Sequence, residues 1–88
     1  MNITFTTLAW EQFETWMDED ESKVAKIRSL LKSIKQNPFK GEGKPEALKH
    51  DLKGYWSRRI NSEHRLVYRV SGKKPNQEIK IVQCRFHY

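Results

Sequence analysis

The N-terminal third of the chain changes from a two-residue to a three- and four-residue spacing of apolar side chains. Ile3 and Phe5 alternate with polar neighbours in NITFT, which predicts a short strand. From Thr7, a residue suited to a helix N-cap, apolar residues recur at helical spacing as far as Met17, which predicts a helix ending near residues 18–20. A second helix should follow at once, because a further apolar stripe comprises Val24, Ile27, Leu30 or Leu31, and Ile34.

The rest of the chain is typical of a loop followed by strands. Proline and glycine crowd residues 37–45 and end the second helix. The segments 52–60, 64–70 and 78–88 then alternate with period two, and the last is long enough that we expect it to bend. This order predicts an α+β fold, with two N-terminal helices packed on one face of a small, mostly antiparallel twisted sheet of four to five strands.

Alternate side chains of a strand point to opposite faces, so the predicted strands divide into two sets. Arg59 shares a face with Ser57. An odd-length NSE loop would bring Ile60 and Leu66 together on the helix-covered face. It would also place Arg59 beside Arg65 on the open face, and we favour it because the alternative would bury an arginine. In the last strand, the residues expected to point into the core are Val82, Cys84 and Phe86. The residues expected on the open face are Arg59, Arg65, Arg69, Arg85 and His87.

The charge distribution favours a polyanionic partner. With 88 residues the chain is expected to form one domain, residues 1–88. Residues 1–22 hold six acidic residues and no Lys or Arg, whereas residues 23–88 hold 17 basic residues and five acidic ones. Such a basic region is typical of proteins that bind phosphates, although a solvated basic surface is the alternative.

Other function classes are disfavoured by what the sequence lacks. The N-terminus has neither the basic start nor the apolar run of a signal peptide, and no apolar stretch approaches the roughly 20 residues of a membrane span, so we expect a cytoplasmic protein without membrane contact. No Cys-x-x-Cys or His-x-x-x-His pair occurs, and the acidic run Asp18–Glu21 is interpreted as a helix junction. We therefore predict no metal and no cofactor.

A metal-free cut of RNA needs a base for the ribose 2′-hydroxyl, a cation for the phosphorane and an acid for the departing 5′-oxygen. Glu46, Arg65 and His87 have the right chemistry, and Tyr88 offers a ring on which a base could stack. Candidate contacts to neighbouring phosphates are Lys49 and Arg59. His50 and His64 are interpreted as surface or hairpin residues. Spacing alone leaves open a non-catalytic RNA- or ribosome-binding module that uses the same basic groove.

Four short runs add a resemblance that covers nearly the whole chain. KPEALKH, WSRRI, EHRLVY and the terminal HY together resemble the YoeB toxins of the RelE superfamily, which are ribosome-dependent messenger RNA interferases. The resemblance implies that Glu46 is the general base, that Arg65 supports the scissile phosphate, and that His87 is the general acid. It further implies that Tyr88 completes the site and that Lys49 and Arg59 lie around the substrate.

The resemblance also implies a RelE-like microbial RNase fold and a set of partners. Such a toxin would cleave messenger RNA in the ribosomal A site and would be neutralised by a cognate, YefM-like antitoxin. Operator DNA would be reached only through the toxin–antitoxin complex, which represses its own operon. A homodimer is a further expectation. The loop SGKKPNQE, residues 71–78, is longer and more basic than the family pattern implies.

Overall fold

The computed structural model describes residues 1–87 and contains two helices and five strands within them. The helices are α1, Thr7–Glu19, and α2, Glu21–Gln36, with a single 3-10 turn at His50–Leu52. The strands are β1, Asn2–Phe5; β2, Glu46–Ala47; β3, Tyr55–Arg59; β4, Arg65–Ser71; and β5, Glu78–Gln83.

The five strands form one sheet in the order β1-β5-β4-β3-β2. β1 runs parallel to β5, and every other neighbouring pair is antiparallel. Apolar residues of α1 and α2 join one face of this sheet in a single buried cluster. The expected α+β architecture is confirmed. Neither helix of the described residues is long and apolar enough to cross a membrane.

The two helices meet at one residue. α1 is capped by Thr6, whose Oγ1 accepts a 3.2 Å hydrogen bond from the N–H of Ala9, so the cap lies one residue before the predicted Thr7. The N–H of Asp20 donates the last hydrogen bond of α1, to the carbonyl of Trp16. The carboxylate of Asp20 caps α2 by accepting hydrogen bonds from the backbone N–H and the hydroxyl of Ser22. These bonds and one from Lys23 lower the pKa of Asp20 to about 2. The acidic run is therefore a helix junction, as predicted.

The core lies between the helices and the sheet. Its helix-borne members are Ala9, Phe13, Trp16, Val24, Ile27, Leu30 and Ile34. Its members from the sheet side are Ile60, Leu66, Tyr68, Ile79, Ile81 and Cys84. The two predicted apolar stripes are thus confirmed, except that Leu8 and Met17, at the two ends of the first stripe, are exposed.

Arg58 is a cation with 0% exposure in the middle of β3. Its Nε donates to the Tyr68 hydroxyl at 2.9 Å, and its Nη1 donates to the Ser33 hydroxyl at 2.6 Å. The remaining bonds of the guanidinium go to the backbone carbonyls of Asn37, Lys40 and Glu42. The Tyr68 hydroxyl in turn donates to the carbonyl of Pro38 at 2.6 Å. A buried charge is tolerated only when hydrogen bonds replace its water, and here the loop after α2 supplies most of them.

The strand register places Arg59 opposite Arg65, as expected, but the reason given for it was wrong. Ile60 and Leu66 both lie on the helix-covered face, as expected, but Arg58 is the residue paired with Leu66 and consequently points into the core as well. Burying an arginine is acceptable here because the 37–42 carbonyls converge on it, and a pattern of polar and apolar letters does not reveal such acceptors.

We expect Arg58→Met to destabilise the protein by about 3–5 kcal/mol, because the buried carbonyls and hydroxyls that bond to the guanidinium would lose their donor. Urea unfolding followed by tryptophan fluorescence measures the change. Arg28→Met, on the exposed side of α2, is the matched control and should stay within about 0.5 kcal/mol of the parent chain. Equal unfolding midpoints for the two variants would contradict the structural role of Arg58.

Candidate active site

A row of paired residues crosses the sheet on the face away from the helices. Glu46 of β2 pairs with Ser57 of β3, which pairs with Val67 of β4, which pairs with Gln83 of β5. Ser57 and Val67 are buried, whereas Glu46 is exposed at the sheet edge. Glu46 is thus a carboxylate at the β2 end of this row.

Arg59 and Arg65 face each other next to this row. Two like charges placed directly opposite in a sheet are unfavourable, and such a pair suits a site that receives an anion. Arg59 is exposed, and Arg65 is partly buried with its Nη1 bonded to the carbonyls of Asn61, Ser62 and His64 at 2.8, 3.3 and 3.2 Å. These carbonyls hold the Arg65 side chain without neutralising its charge.

Arg69 and Lys80 form a second basic pair on the same face. Along β4 this pair lies on the opposite side of Val67 from Arg65. Arg69 also lies over the ring of Tyr55, with its guanidinium carbon 5.7 Å from the ring centroid. Arg69 was expected here, and Lys80 was not. The open face is therefore basic on both sides of the central row.

The loop before β3 brings Lys49 and His50 next to Glu46. Together with apolar neighbours, these three residues line an open hollow of about 290 Å³ at the sheet edge. The loop is tied down where the Leu48 N–H donates to the carbonyl of Tyr55 at 2.9 Å and where the Arg59 N–H donates to the carbonyl of Gly43 at 2.7 Å. Glu46 and Lys49 thus lie in one concave surface.

The end of the chain corrects the expected face of Arg85 and Phe86. β5 ends at Gln83, and its pairing with β4 skips Val82, because Tyr68 faces Ile81 and Val67 faces Gln83. This bulge and the end of the strand break the simple alternation. Cys84 is buried as expected, but Phe86 is 56% exposed and Arg85 is directed to α1 instead of the open face. Val82 is only partly buried.

Residues 84–87, which follow β5, form what we call the C-terminal segment. One face of α1 holds the first two of them, Cys84 and Arg85. The side-chain oxygen of Gln12 accepts from the Cys84 N–H at 2.8 Å, and the Trp16 indole donates to the Cys84 carbonyl at 2.8 Å. Glu19 accepts two bonds from Arg85, at 3.0 and 3.1 Å, and this pairing lowers the pKa of Glu19. The guanidinium of Arg85 also lies 4.4 Å from the centroid of the Trp16 ring.

His64 and Arg65 hold the next part of the C-terminal segment. The Phe86 N–H donates to His64 Nδ1 at 2.7 Å, and the Phe86 carbonyl accepts from the Arg65 N–H at 2.9 Å. Phe86 itself has a φ of 62°, an uncommon value for a bulky residue. His87 follows directly and is exposed. The peptide bond that joins it to Phe86 is held, because the carbonyl of that peptide accepts the hydrogen bond from the Arg65 N–H.

The predicted site residues thus lie around the β3–β4 hairpin. Glu46 and Lys49 reach it from the β2 side, and Arg59 and Arg65 face each other within it. The C-terminal segment carries His87 to the start of β4, where Arg65 lies. Tyr88 lies outside the described residues.

Sequence reasoning missed four residues that hold the C-terminal segment. Gln12, Trp16 and Glu19 recur at intervals of four and three, so they share one face of α1, and this spacing could have identified them. The fourth is His64, which was interpreted as a surface or hairpin residue. It lies next to a hairpin loop and is nevertheless only 7% exposed.

Comparisons with known proteins bear directly on this geometry. The sequence model of the YoeB-like toxins of bacterial type II toxin–antitoxin systems matches residues 5–88. The chain belongs to this family.

Relatives within the family are similar over their whole length. Toxin YoeB of Streptomyces coelicolor is 49% identical over 88 residues, which is 100% of both chains. A YoeB/ParE toxin from Agrobacterium tumefaciens is 50% identical, with a TM-score of 0.95 and 100% coverage of each chain. YoeB of Staphylococcus aureus is known as a dimer, with 49% identity and a TM-score of 0.88, and in a heterotetrameric complex with YefM, with 50% identity and a TM-score of 0.87. Both comparisons cover 100% of this chain and 98% of the other.

Cys84 provides a test of how the C-terminal segment is held. Burial raises the pKa of its thiol to about 12, and Sγ lies 3.4 Å from the carbonyl of Ala9. We expect native protein to react with iodoacetamide at least about 100-fold more slowly than unfolded protein, because the reactive thiolate is both scarce and enclosed. Mass spectrometry with and without urea gives the two rates, and full labelling in urea is the control, since this is the only cysteine. Similar rates would contradict the burial of Cys84.

Proposed function

We propose that this chain is a ribosome-dependent endoribonuclease that cleaves messenger RNA in the ribosomal A site by metal-independent acid–base catalysis. The observation that carries the proposal is Glu46, a carboxylate at the β2 edge of the sheet, on the same face as Arg59 and Arg65 and close to them in the strand pairing. A protein that only bound RNA would gain nothing from a carboxylate there, because it would repel phosphate. A general base, in contrast, must be a group that accepts a proton beside the reacting phosphate.

The proposed reaction needs no water and no metal. The Glu46 carboxylate takes the proton of the ribose 2′-hydroxyl, and the 2′-oxygen attacks the phosphorus. Arg65 balances the charge that develops on the phosphoryl oxygens. As the bond to the 5′-oxygen breaks, His87 gives that oxygen a proton, which leaves a 2′,3′-cyclic phosphate and a 5′-hydroxyl. The proton count balances, because one proton enters Glu46 and one leaves His87.

The other predicted residues hold the substrate. The three bonds of Arg65 to loop carbonyls use Nη1, and an arginine has further N–H donors on Nε and Nη2 for a phosphate. Lys49 and Arg59, both exposed beside Glu46, bind neighbouring phosphates. Tyr88 stacks on a base and keeps the reacting atoms in line.

The family assignment supports the proposed partners. The complex of the similar Staphylococcus aureus toxin with YefM suggests that a YefM-like antitoxin neutralises this chain. The toxin–antitoxin complex represses its own operon and reaches operator DNA in that form only. The ribosome and its messenger are the targets, which places the action in the cytoplasm. The dimeric relative suggests that the free toxin also forms a homodimer.

Expression of the chain alone in growing bacteria is the direct test. An endoribonuclease of this kind arrests growth and leaves messenger RNA cut within coding regions, with new 5′-hydroxyl ends that can be mapped by sequencing. A non-catalytic module that only occupies the ribosome arrests growth with intact messenger. Co-expression with a YefM-like antitoxin should restore growth in the first case.

His87→Ala should reduce single-turnover cleavage on purified ribosomes by about 10²–10⁴-fold, because the leaving oxygen would depart without its proton. Glu46→Gln should give a loss of similar size. Ribosome binding, measured by co-sedimentation, should stay within about threefold of the parent chain for both, since both variants keep Lys49, Arg59 and Arg65, the cations proposed to bind phosphate. Glu14→Gln, on the exposed side of α1, is the control and should cleave normally. Full cleavage by His87→Ala would exclude it as the general acid.

Deletion of residues 87 and 88 should abolish cleavage and leave the urea midpoint nearly unchanged. The contacts that hold residues 84–86 to α1, His64 and β4 remain in the shortened chain. Activity and unfolding are measured on the same preparation. A shortened chain that cleaves at the parent rate would place the chemistry elsewhere.

A further inference from the structure

His64 has an unusual position for a residue beside a hairpin loop. The five residues 60–64 connect β3 to β4, and the imidazole of His64 is turned inward, not toward solvent. Its ring meets the indole of Trp16 edge-on, with centroids 4.9 Å apart at 83°, and lies 5.7 Å from the ring of Phe86. The site chemistry described above does not use His64, so its burial has a different cause.

The orientation of the imidazole is set by one hydrogen bond. His64 Nδ1 accepts the Phe86 N–H at 2.7 Å, so Nδ1 carries a lone pair and the proton of the neutral ring is on Nε2. Nε2 lies 3.6 Å from a carboxylate oxygen of Glu63, on the solvent side. Nδ1 is therefore the atom that acts on the C-terminal segment.

The same hydrogen bond fixes the direction of the chain at Phe86. The peptide before Phe86 is held by His64, and the peptide after it is held by the backbone N–H of Arg65. Between them, Phe86 adopts its φ of 62°, which a residue with a Cβ rarely adopts unless the surroundings impose it. If the bond to His64 is lost, the first peptide can rotate and Phe86 can relax to a negative φ. His87, one residue further along, would then point elsewhere.

We propose that His64 is a positioning residue for His87, acting through the Phe86 amide without touching the substrate. The proposal rests on the function proposed above, since it assigns to His64 the placement of the general acid. The acceptor at the Nδ1 position is the essential feature of His64. Its charge and its size are secondary.

Three substitutions separate the acceptor from the packing. His64→Asn keeps an oxygen close to the position of Nδ1, and His64→Gln moves the oxygen to about the position of Nε2. His64→Leu keeps an apolar contact with Trp16 and removes the acceptor. We expect His64→Asn to cleave within about threefold of the parent rate, and His64→Gln and His64→Leu to lose about 10–100-fold in single-turnover rate with unchanged ribosome binding. Urea midpoints show which variants are folded, and the Asn and Gln pair still decides the question if His64→Leu does not fold.

A modified substrate distinguishes positioning of the acid from general damage. In a messenger with sulfur in place of the bridging 5′-oxygen at the cleavage site, the leaving thiolate departs without protonation. If His64 acts through His87, the parent chain, His64→Leu, His64→Gln and His87→Ala should all cleave this substrate at similar rates. Glu46→Gln should remain slow on it, because removal of the 2′-proton is still required.

Each result has a definite meaning. A parent chain that does not cleave either substrate, or a His87→Ala variant that sulfur does not rescue, overturns the proposed function and the role of His64 with it. If the parent cleaves and sulfur rescues His87→Ala, the proposed function stands. The role of His64 alone is then overturned by His64→Leu and His64→Gln cleaving the normal messenger at the parent rate, or by both being equally slow on the two substrates.

Discussion

The guanidinium of Arg58 is the constraint on which much of this structure depends. Its charge is permanent and its site excludes water, so its donors must find protein acceptors. They find three carbonyls of the 37–42 loop, and that loop cannot move away without leaving a charge unsatisfied. Glu42 of the same loop also bonds to Lys26 and Ser29 of α2. The segment that leads to Glu46 is therefore fixed from the core side, although its own strand has only two residues.

A second group of contacts fixes the other side of the candidate site. The C-terminal segment continues beyond the last paired residues of β4 and β5. Apart from one backbone bond, from the Arg65 N–H to the Phe86 carbonyl, side chains hold it there. Gln12, Trp16 and Glu19 bond to Cys84 and Arg85, and His64 bonds to Phe86. The acidic N-terminal part of the chain thus has a structural use in a basic protein. Glu19 pairs with an arginine that would otherwise add to the charge of the open face.

The sequence was sufficient for the features that depend on period and local chemistry. The two helices and the antiparallel β3–β4 pair follow from spacing and parity, and so does the shared face of Arg59 and Arg65, although the register was chosen to avoid a buried arginine that the structure in fact contains. Features that depend on distant partners were mispredicted. Because of the bulge at Val82 and the bonds to α1, Arg85 and Phe86 do not lie where strand alternation predicts them. No feature of the neighbouring sequence indicates the bulge. Arg58 was overlooked because arginine counts as an outward residue until carbonyls from a remote loop surround it. His64 was missed for the same reason, since its partner Phe86 is 22 residues away.

The two sets of contacts are attached to different helices. The side of the hollow that carries Glu46 is bonded to α2 through Ser33, Lys26 and the surroundings of Arg58, whereas the C-terminal segment is bonded to α1. Asp20 joins these helices, and no loop of several residues separates them. The packing of α1 against α2, on the far side of the sheet, therefore acts together with the strand pairing and the bonds to His64 and Arg65 in setting the distance between Glu46 and His87. A change at the interface between the two helices could thus alter the relative positions of Glu46 and His87, although neither helix contributes a residue to the open face.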